Sequence, residues 1–236
     1  MRKSKKIMLY IVKYVILTAT AMFVLFPIIW TFLTSIKQEV QTFSIPPVLL
    51  PNPVSFKNYM DAFSSGAFVQ RFGNSIIVAF CSTLLSMVIG VPAAYGFARH
   101  PYKGSNVIFL SITACRMLPT VVLGIPMYFL LRNLGMLDTK TGLIIIHLPL
   151  QLMLNIWMLY GSFKNFPKDL IDAGYIDGLG PFKTLAAIVV PITIPMIAVA
   201  TVFSFLASWN EFFFAMLTTS SEKAMTLPVY IAGNIT

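Results

Sequence analysis

The run NSIIVAFCSTLLSMVIGVPAAYGFA, residues 74–98, carries no charged side chain along its whole length. About 20 mostly apolar residues in a helix cross the hydrocarbon core of a bilayer. This run exceeds that length and reads as a membrane span. Working outward, comparable runs place further spans at about residues 7–30, 107–131, 141–163 and 185–207. Composition agrees: 57% of the 236 residues are hydrophobic and 11% are charged, against roughly 25% charged in soluble domains. Long apolar runs, rather than short alternating segments, exclude a β-barrel. The expected fold is an all-α, polytopic membrane helical bundle of five spans, one transmembrane domain over residues 1–236.

The formal net charge of +9 invites a nucleic-acid reading. The basic residues are scattered among apolar spans with no basic face, so no nucleic-acid partner is expected and the charges report topology instead. Arg2, Lys3, Lys5 and Lys6 precede the first span; Arg99, Lys103, Lys164, Lys168 and Lys183 follow in short loops of the same side. The positive-inside rule puts the N-terminus in the cytoplasm, and five spans put Thr236 outside. The charged start imitates a signal peptide, but the apolar run behind it is too long for a signal core and reads as an uncleaved span. Pro46, Pro47, Pro51 and Pro53 predict a stiff extended loop, and Phe56–Tyr59 open a short surface helix. Cys81 and Cys115 fall in opposite halves of the membrane and read as packing residues, not a disulfide.

Between the last two spans lies an interruption, segment 164–184. It begins PKDLIDAGYIDG, residues 167–178, and nine residues later the chain reads Ile188-Val189-Val190-Pro191. Asp169, Asp172 and Asp177 are three of only eight acidic residues in the protein. Asn165 is placed to cap a helix, Pro167 suits its first turn, and Asp169 and Asp172 favour its N-terminal dipole. Phe166, Leu170 and Ala173 share one face by spacing. Asp177-Gly178 is a turn signal and Gly180-Pro181 opens the next helix. The pattern predicts helix, turn, helix at the membrane surface. On pattern alone it is either a joint between two spans or a handle for a soluble partner.

This spacing resembles the EAA signature of ABC-importer permeases: Glu-Ala-Ala, three residues, Gly, nine residues, Ile-x-Leu-Pro. Asp172-Ala173-Gly174, Gly178 and Ile188–Pro191 occupy those places, with Asp172 for Glu, Gly174 for Ala and Val190 for Leu. Arg116-Met117-Leu118-Pro119, Ile125-Pro126-Met127-Tyr128, Ser208-Trp209-Asn210-Glu211-Phe212 and Thr226-Leu227-Pro228-Val229 are similar to the carbohydrate-importer branch of that family. The resemblance implies a multi-pass subunit of a bacterial or archaeal inner membrane, without cofactor. It would work with a second permease subunit, two cytoplasmic ATPase subunits and an extracytoplasmic solute-binding protein. It also implies that Leu170, Asp172, Ala173, Gly174, Asp177, Gly178 and Pro191 form the ATPase-coupling segment. No Walker-type lysine loop occurs, so the chain is not expected to be an enzyme. Members of this branch usually have six spans. The chain stops just after Thr226–Val229, where a further span is expected, which reads as a truncated permease.

Candidate path residues follow from polar groups in apolar surroundings. Arg116 lies roughly 14 Å into its span, costly unless it faces protein or water; it reads either as a pathway contact or as a structural arginine. Gln151 and Asn155, one turn apart, either bind a sugar or bond between helices. Trp209, Asn210 and Glu211 suit an interfacial belt, or contact with a sugar or binding protein. His147 reads as a packing histidine, and no second His or Cys stands at metal-ligand spacing. A secondary transporter or channel is the alternative, but it predicts intramembrane acids, and the five expected spans hold no Asp or Glu. A non-transporting scaffold is the other alternative.

Overall fold

The uncharged run at 74–98 forms the greater part of one continuous helix, Gly66–Arg99. The computed structural model describes residues 2–233, with side chains from Lys6 onward. Thr236 and the side chains of Arg2, Lys3 and Lys5, used above for topology, lie outside the described residues. The stretch expected to form one permease domain divides into two compact units, residues 1–66 and 67–236.

The first unit is built on α1 (Arg2–Ser35), followed by the short helices α2 (Glu39–Thr42) and α3 (Lys57–Ser64). From Ile7 to Phe32 the apolar side chains of α1, the half-buried Trp30 apart, are exposed, a surface stable in hydrocarbon and not in water. The last turn of any α-helix leaves carbonyls without intrahelical partners. Here Asn58 Nδ2 donates to the carbonyls of Ser35 (3.0 Å) and Lys37 (3.2 Å), and Ser35 Oγ meets Tyr59 Oη at 2.7 Å. Lys37 Nζ sits 4.4 Å from the Trp30 ring centroid.

The second unit contains α4 (Gly66–Arg99), α5 (Ser105–Cys115), α6 (Thr120–Asn133), α7 (Lys140–Lys164), α8 (Lys168–Ile176), α9 (Pro181–Thr184), α10 (Val190–Trp209), α11 (Phe213–Thr218) and α12 (Leu227–Gly233). A π-turn, Leu185–Val189, joins α9 to α10. Among the described residues, four helical stretches are long and apolar enough to cross a membrane: Lys6–Ser35, Gly66–Arg99, Lys140–Lys164 and Pro181–Trp209. The run expected as one span at 107–131 is broken: α5 and α6 meet at 100°, and the count is five if the pair is one span. The cause is local. Pro119 disfavours helical geometry at Leu118, and the chain closes α5 with tight turns, Arg116 N–H to Thr113 O and Met117 N–H to Ala114 O. Pro126 stays inside α6, so only one of the two prolines makes the break. Cys81 and Cys115 are both free.

Between α7 and α10 the core gathers Tyr95, Leu159, Phe163, Phe166, Ile171, Leu185 and Val189, all buried. At the other end of this unit the segment between α11 and α12 is tied to α4. Asn74 Nδ2 donates to the Met225 and Lys223 carbonyls, Ser75 Oγ accepts from Leu227 N–H at 2.8 Å, and Arg71 pairs with Glu222 at 2.6 Å. Asp138, in the left-handed region at φ 57, accepts from the amides of Ser220 (3.1 Å) and Ser221 (3.0 Å). Burial pushes the Asp138 carboxyl up, but the Ser221 and Ser220 hydrogen bonds and the Lys223 ammonium outweigh it and hold it below the usual carboxylate range.

A depressed folded value means the anchor is at full strength above the ordinary aspartate value of about 3.9 and is lost as pH falls through the folded value. Hydrogen exchange should therefore find the Ser220 and Ser221 amides still protected near that pH, with protection lost only on further acidification. Asp138→Asn should speed their exchange about tenfold at neutral pH, the scale of a lost charge-assisted hydrogen bond.

Candidate functional site

Small polar side chains recur at four-residue intervals on three neighbouring helices: Ser82 and Ser86 on α4, His147, Gln151 and Asn155 on α7, and Ser204 and Ser208 on α10. That spacing stacks each set on one helix face, and packing brings the three faces together. Asn155 Nδ2 donates to Ser86 Oγ (3.0 Å), and its Oδ1 accepts from Ser204 Oγ (2.6 Å). Gln151 Nε2 donates to Ser82 Oγ at 2.9 Å. Ser82 Oγ sends its own proton to the Val78 carbonyl at 2.7 Å, so it accepts from Ser208 at 3.2 Å. Ser208 must then accept from His147 Nδ1 at 2.7 Å, because a hydroxyl has one proton to give. His147 Nε2 faces Glu211 Oε2 at 3.3 Å. The Glu211 carboxylate also accepts from Phe214 N–H (2.8 Å) and Ala215 N–H (3.0 Å), holding the start of α11.

At the Glu211 end the seam opens into a recess of about 110 Å³ lined by Arg116, His147, Leu150, Gln151, Leu154, Ala207, Ser208 and Glu211. Three expected path residues, Arg116, Gln151 and Glu211, thus share one cavity. Gln151 is only 2% exposed, and its Oε1 has no hydrogen-bond partner. Arg116 is the exposed residue just beyond α5 and places its guanidinium 5.8 Å from the Trp157 ring centroid. The other three candidates lie outside the recess lining. Asn155 is fully buried with both ends of its amide engaged. Trp209 stacks on Phe205 and meets Phe72 edge-on. The exposed Asn210 donates back to the Leu206 carbonyl. The serines and the recess-lining role of His147 were missed; the shared four-residue period was the signal that could have found them.

The interruption forms a second site. Asn165 caps the end of α7, not the start of α8, and Pro167 takes the N-cap place of α8. The inward residues of α8 are Ile171 and Gly174, while Asp169, Leu170, Asp172, Ala173 and Ile176 are exposed. The expected common face of Phe166, Leu170 and Ala173 does not form, because Phe166 precedes the helix and turns into the core. A Cβ at Gly174 would stand 2.7 Å from Ile188 Cδ1 and 3.4 Å from Thr184 Oγ1. Alanine there would need the tip of the Ile188 side chain to shift. Gly178 has φ +81. It closes α8 through two bonds, Leu179 N–H to Gly174 O (2.9 Å) and Gly178 N–H to Tyr175 O (3.0 Å), the paired pattern of a left-handed helix stop. Asp177 is the C-cap. Pro191 lies exposed in the first turn of α10 and has no N–H to give to Ala187; just before it Val190 N–H reaches back five residues to Leu185 O. This is the π-turn.

Residues 86–236 match the family model described as the binding-protein-dependent transport system inner membrane component. The chain belongs to this family. The permease is 36% identical to the sulfoquinovosyl glycerol transport system permease of Agrobacterium fabrum, over 88% of this chain and 73% of that one. It is 31% identical to the trehalose transport system permease of Mycobacterium tuberculosis, over 89% and 76%. It also resembles a solved bacterial ABC transporter involved in import of the acidic polysaccharide alginate: TM-score 0.80, 25% identity, covering 95% of this chain and 79% of that one. The protein is thus a transmembrane permease subunit of an ABC importer, multi-pass in the inner membrane, and its family is one of transport proteins rather than enzymes. A secondary transporter, channel or bare scaffold is not what these matches favour.

Asn155→Ala should cost about 1–2 kcal/mol, since it takes the buried acceptor from the Ser204 hydroxyl and one of the two hydrogen bonds from Ser86, which keeps its bond to the Thr83 carbonyl. Thermal unfolding in detergent should show a lower midpoint, whereas Asn210→Ala should leave it unchanged.

Proposed function

We propose that the protein imports a carbohydrate, that segment 164–184 is the seat of a separate ATPase subunit, and that the Arg116–Gln151–Glu211 recess belongs to the solute path. The observation that carries the coupling reading is the division of α8 into two faces. Ile171 and Gly174 lock one face to α9 and the π-turn, and the other presents Leu170, Asp172, Ala173 and Ile176 with no partner from this chain's core. A helix held this firmly on one side transmits an external push rather than absorbing it. Gly178 ends the helix sharply, so the contact surface keeps its length and direction. On this reading Asp172 is the polar anchor and Pro191, through the π-turn, links the segment to α10.

The permeases named above, for trehalose and sulfoquinovosyl glycerol, support a carbohydrate substrate. The recess supports it as well, since the Gln151 acceptor, the Glu211 carboxylate and the Arg116 donors suit hydroxyl groups. Asn155 acts behind this surface as a helix lock, while Trp209 and Asn210 lie toward the solute-binding protein. The working assembly pairs this chain with a second permease subunit, two ATPase subunits and a solute-binding protein, with α8 and the N-terminus in the cytoplasm.

Capture of the ATPase subunit by tagged permease tests the coupling reading. Gly178→Pro should abolish capture, because proline is fixed near −65° where the backbone needs a positive φ. Ala173→Arg, on the exposed face, should do the same without lowering the thermal midpoint. Undiminished capture by both variants would overturn the assignment. Gln151→Leu should keep capture intact and cut uptake by about tenfold in reconstituted vesicles, the scale of one lost buried hydrogen bond.

A further inference from the structure

Segment 164–184 is covalently continuous with α7 and α10 alone, yet α4 grips it as well. Arg99, the last residue of α4, donates from Nε to the Phe163 carbonyl at 2.8 Å and from its terminal nitrogen to the Phe166 carbonyl. These carbonyls lie in the last turn of α7 and in the connector into α8, where the regular helix ladder ends and the dipole favours a cation; the Phe163 carbonyl also accepts from Phe166 N–H at 3.3 Å. The planar guanidinium fork spans both at once, which a lysine ammonium cannot do. The side chains beneath are fixed: Phe163 is fully buried and Phe166 is 6% exposed in the same core as Tyr95 of α4. Next to Arg99, His100 Nε2 lies 3.3 Å from Tyr175 Oη on α8, and its ring meets Tyr95 edge-on at 5.6 Å.

We infer that Arg99 is a positioning residue for transport: a non-covalent strut that makes α4 move with the coupling segment. The inference rests on the coupling reading above. Its consequence reaches the seam, because α4 carries Ser82 and Ser86, the partners of Gln151 and Asn155. A displacement of α8 then reaches the seam by two routes, through the covalent ends of α7 and α10 and through Arg99 into α4. Without the strut, α4 keeps the His100–Tyr175 contact and the packing of Tyr95 on Phe163 but loses its charged grip on the backbone, so α8 would slip relative to α4 and strain the hydroxyl contacts of the seam.

The test uses the full importer in nanodiscs, in a Cys81→Ala, Cys115→Ala background. Spin labels at Lys103→Cys and Asp169→Cys report the separation of the α4 end from α8. With Arg99 present, that separation should stay constant between the resting and the ATP-trapped states. Arg99→Met should let it change on trapping and reduce solute moved per ATP hydrolysed by about tenfold, the scale of losing a charge-assisted hydrogen bond. Arg99→Lys should fall between, with charge kept and the fork lost; should Arg99→Met not assemble, this variant carries the test. A cross-link from Ala173→Cys to the ATPase should persist in both. Constant separation and undiminished solute per ATP in Arg99→Met and Arg99→Lys, with the cross-link retained, would overturn the strut alone. Absence of the cross-link even with Arg99 in place would overturn the coupling reading and the strut with it.

Discussion

Away from water, a buried amide or hydroxyl must find its partner inside the protein. In the second unit that constraint sets the register of three helices. Gln151 and Asn155 of α7 each bond to a serine of α4, and Asn155 and His147 each engage a serine of α10. Sliding any one helix by a residue would turn its polar row about 100° away from the seam and strand the others. Apolar packing between α7 and α10 tolerates many small adjustments; the seam tolerates few. The recess exists because the same row continues past the point where the three helices satisfy one another, leaving Gln151 Oε1 and the Glu211 end open.

The opposite end depends on a different kind of fit. α8 is short and sits on a close approach, with Gly174 set against Ile188 and Thr184. The Ile188 side chain occupies the space that a methyl group at residue 174 would need. The two residues sit at the two ends of one signature, so its substitution at Gly174 is matched locally rather than being a weakness. Glycine costs roughly 1 kcal/mol of helix propensity relative to alanine, and it lets α8 seat closely on Thr184 and Ile188.

Much of this was legible before the coordinates. Residues 74–98 could be nothing but a span, because a run so long and free of charge has no stable place in water. Gly178 was legible as a turn because Asp-Gly after a helical run is a local signal that needs no tertiary information. What could not be read was anything decided between distant segments. The inward face of α8 was misjudged because Phe166 looks like part of the helix when only spacing is considered, whereas the core takes it first. Asn165 looks like a cap for the helix after it and serves the helix before it. The run at 107–131 reads as one span in the linear sequence; the break at Pro119 is local, but the 100° angle between α5 and α6 is not written in the spacing. Arg116, Gln151 with Asn155, and Glu211 with Trp209 and Asn210 were read as three separate features, and the convergence of Arg116, Gln151 and Glu211 on one cavity has no trace in the linear order. Trp209, Asn210 and Glu211, read together as one cluster, part company where α10 ends: Trp209 packs on Phe205 and Phe72, Asn210 turns back to the Leu206 carbonyl, and Glu211 lines the recess.

The π-turn before Pro191 adds one residue to a turn of helix without ending the helix. One extra residue rotates everything beyond it by about 100° relative to everything before it. The stretch from Pro181 to Trp209 therefore behaves as two dials on one shaft, offset by a fixed angle. The first dial carries Thr184 and Ile188 and faces Gly174; the second carries Ser204 and Ser208 and faces Asn155 and His147. The packing at Gly174 and the hydrogen bonds at Asn155 are thereby set by separate faces of one continuous stretch, and the π-turn fixes the angle between them.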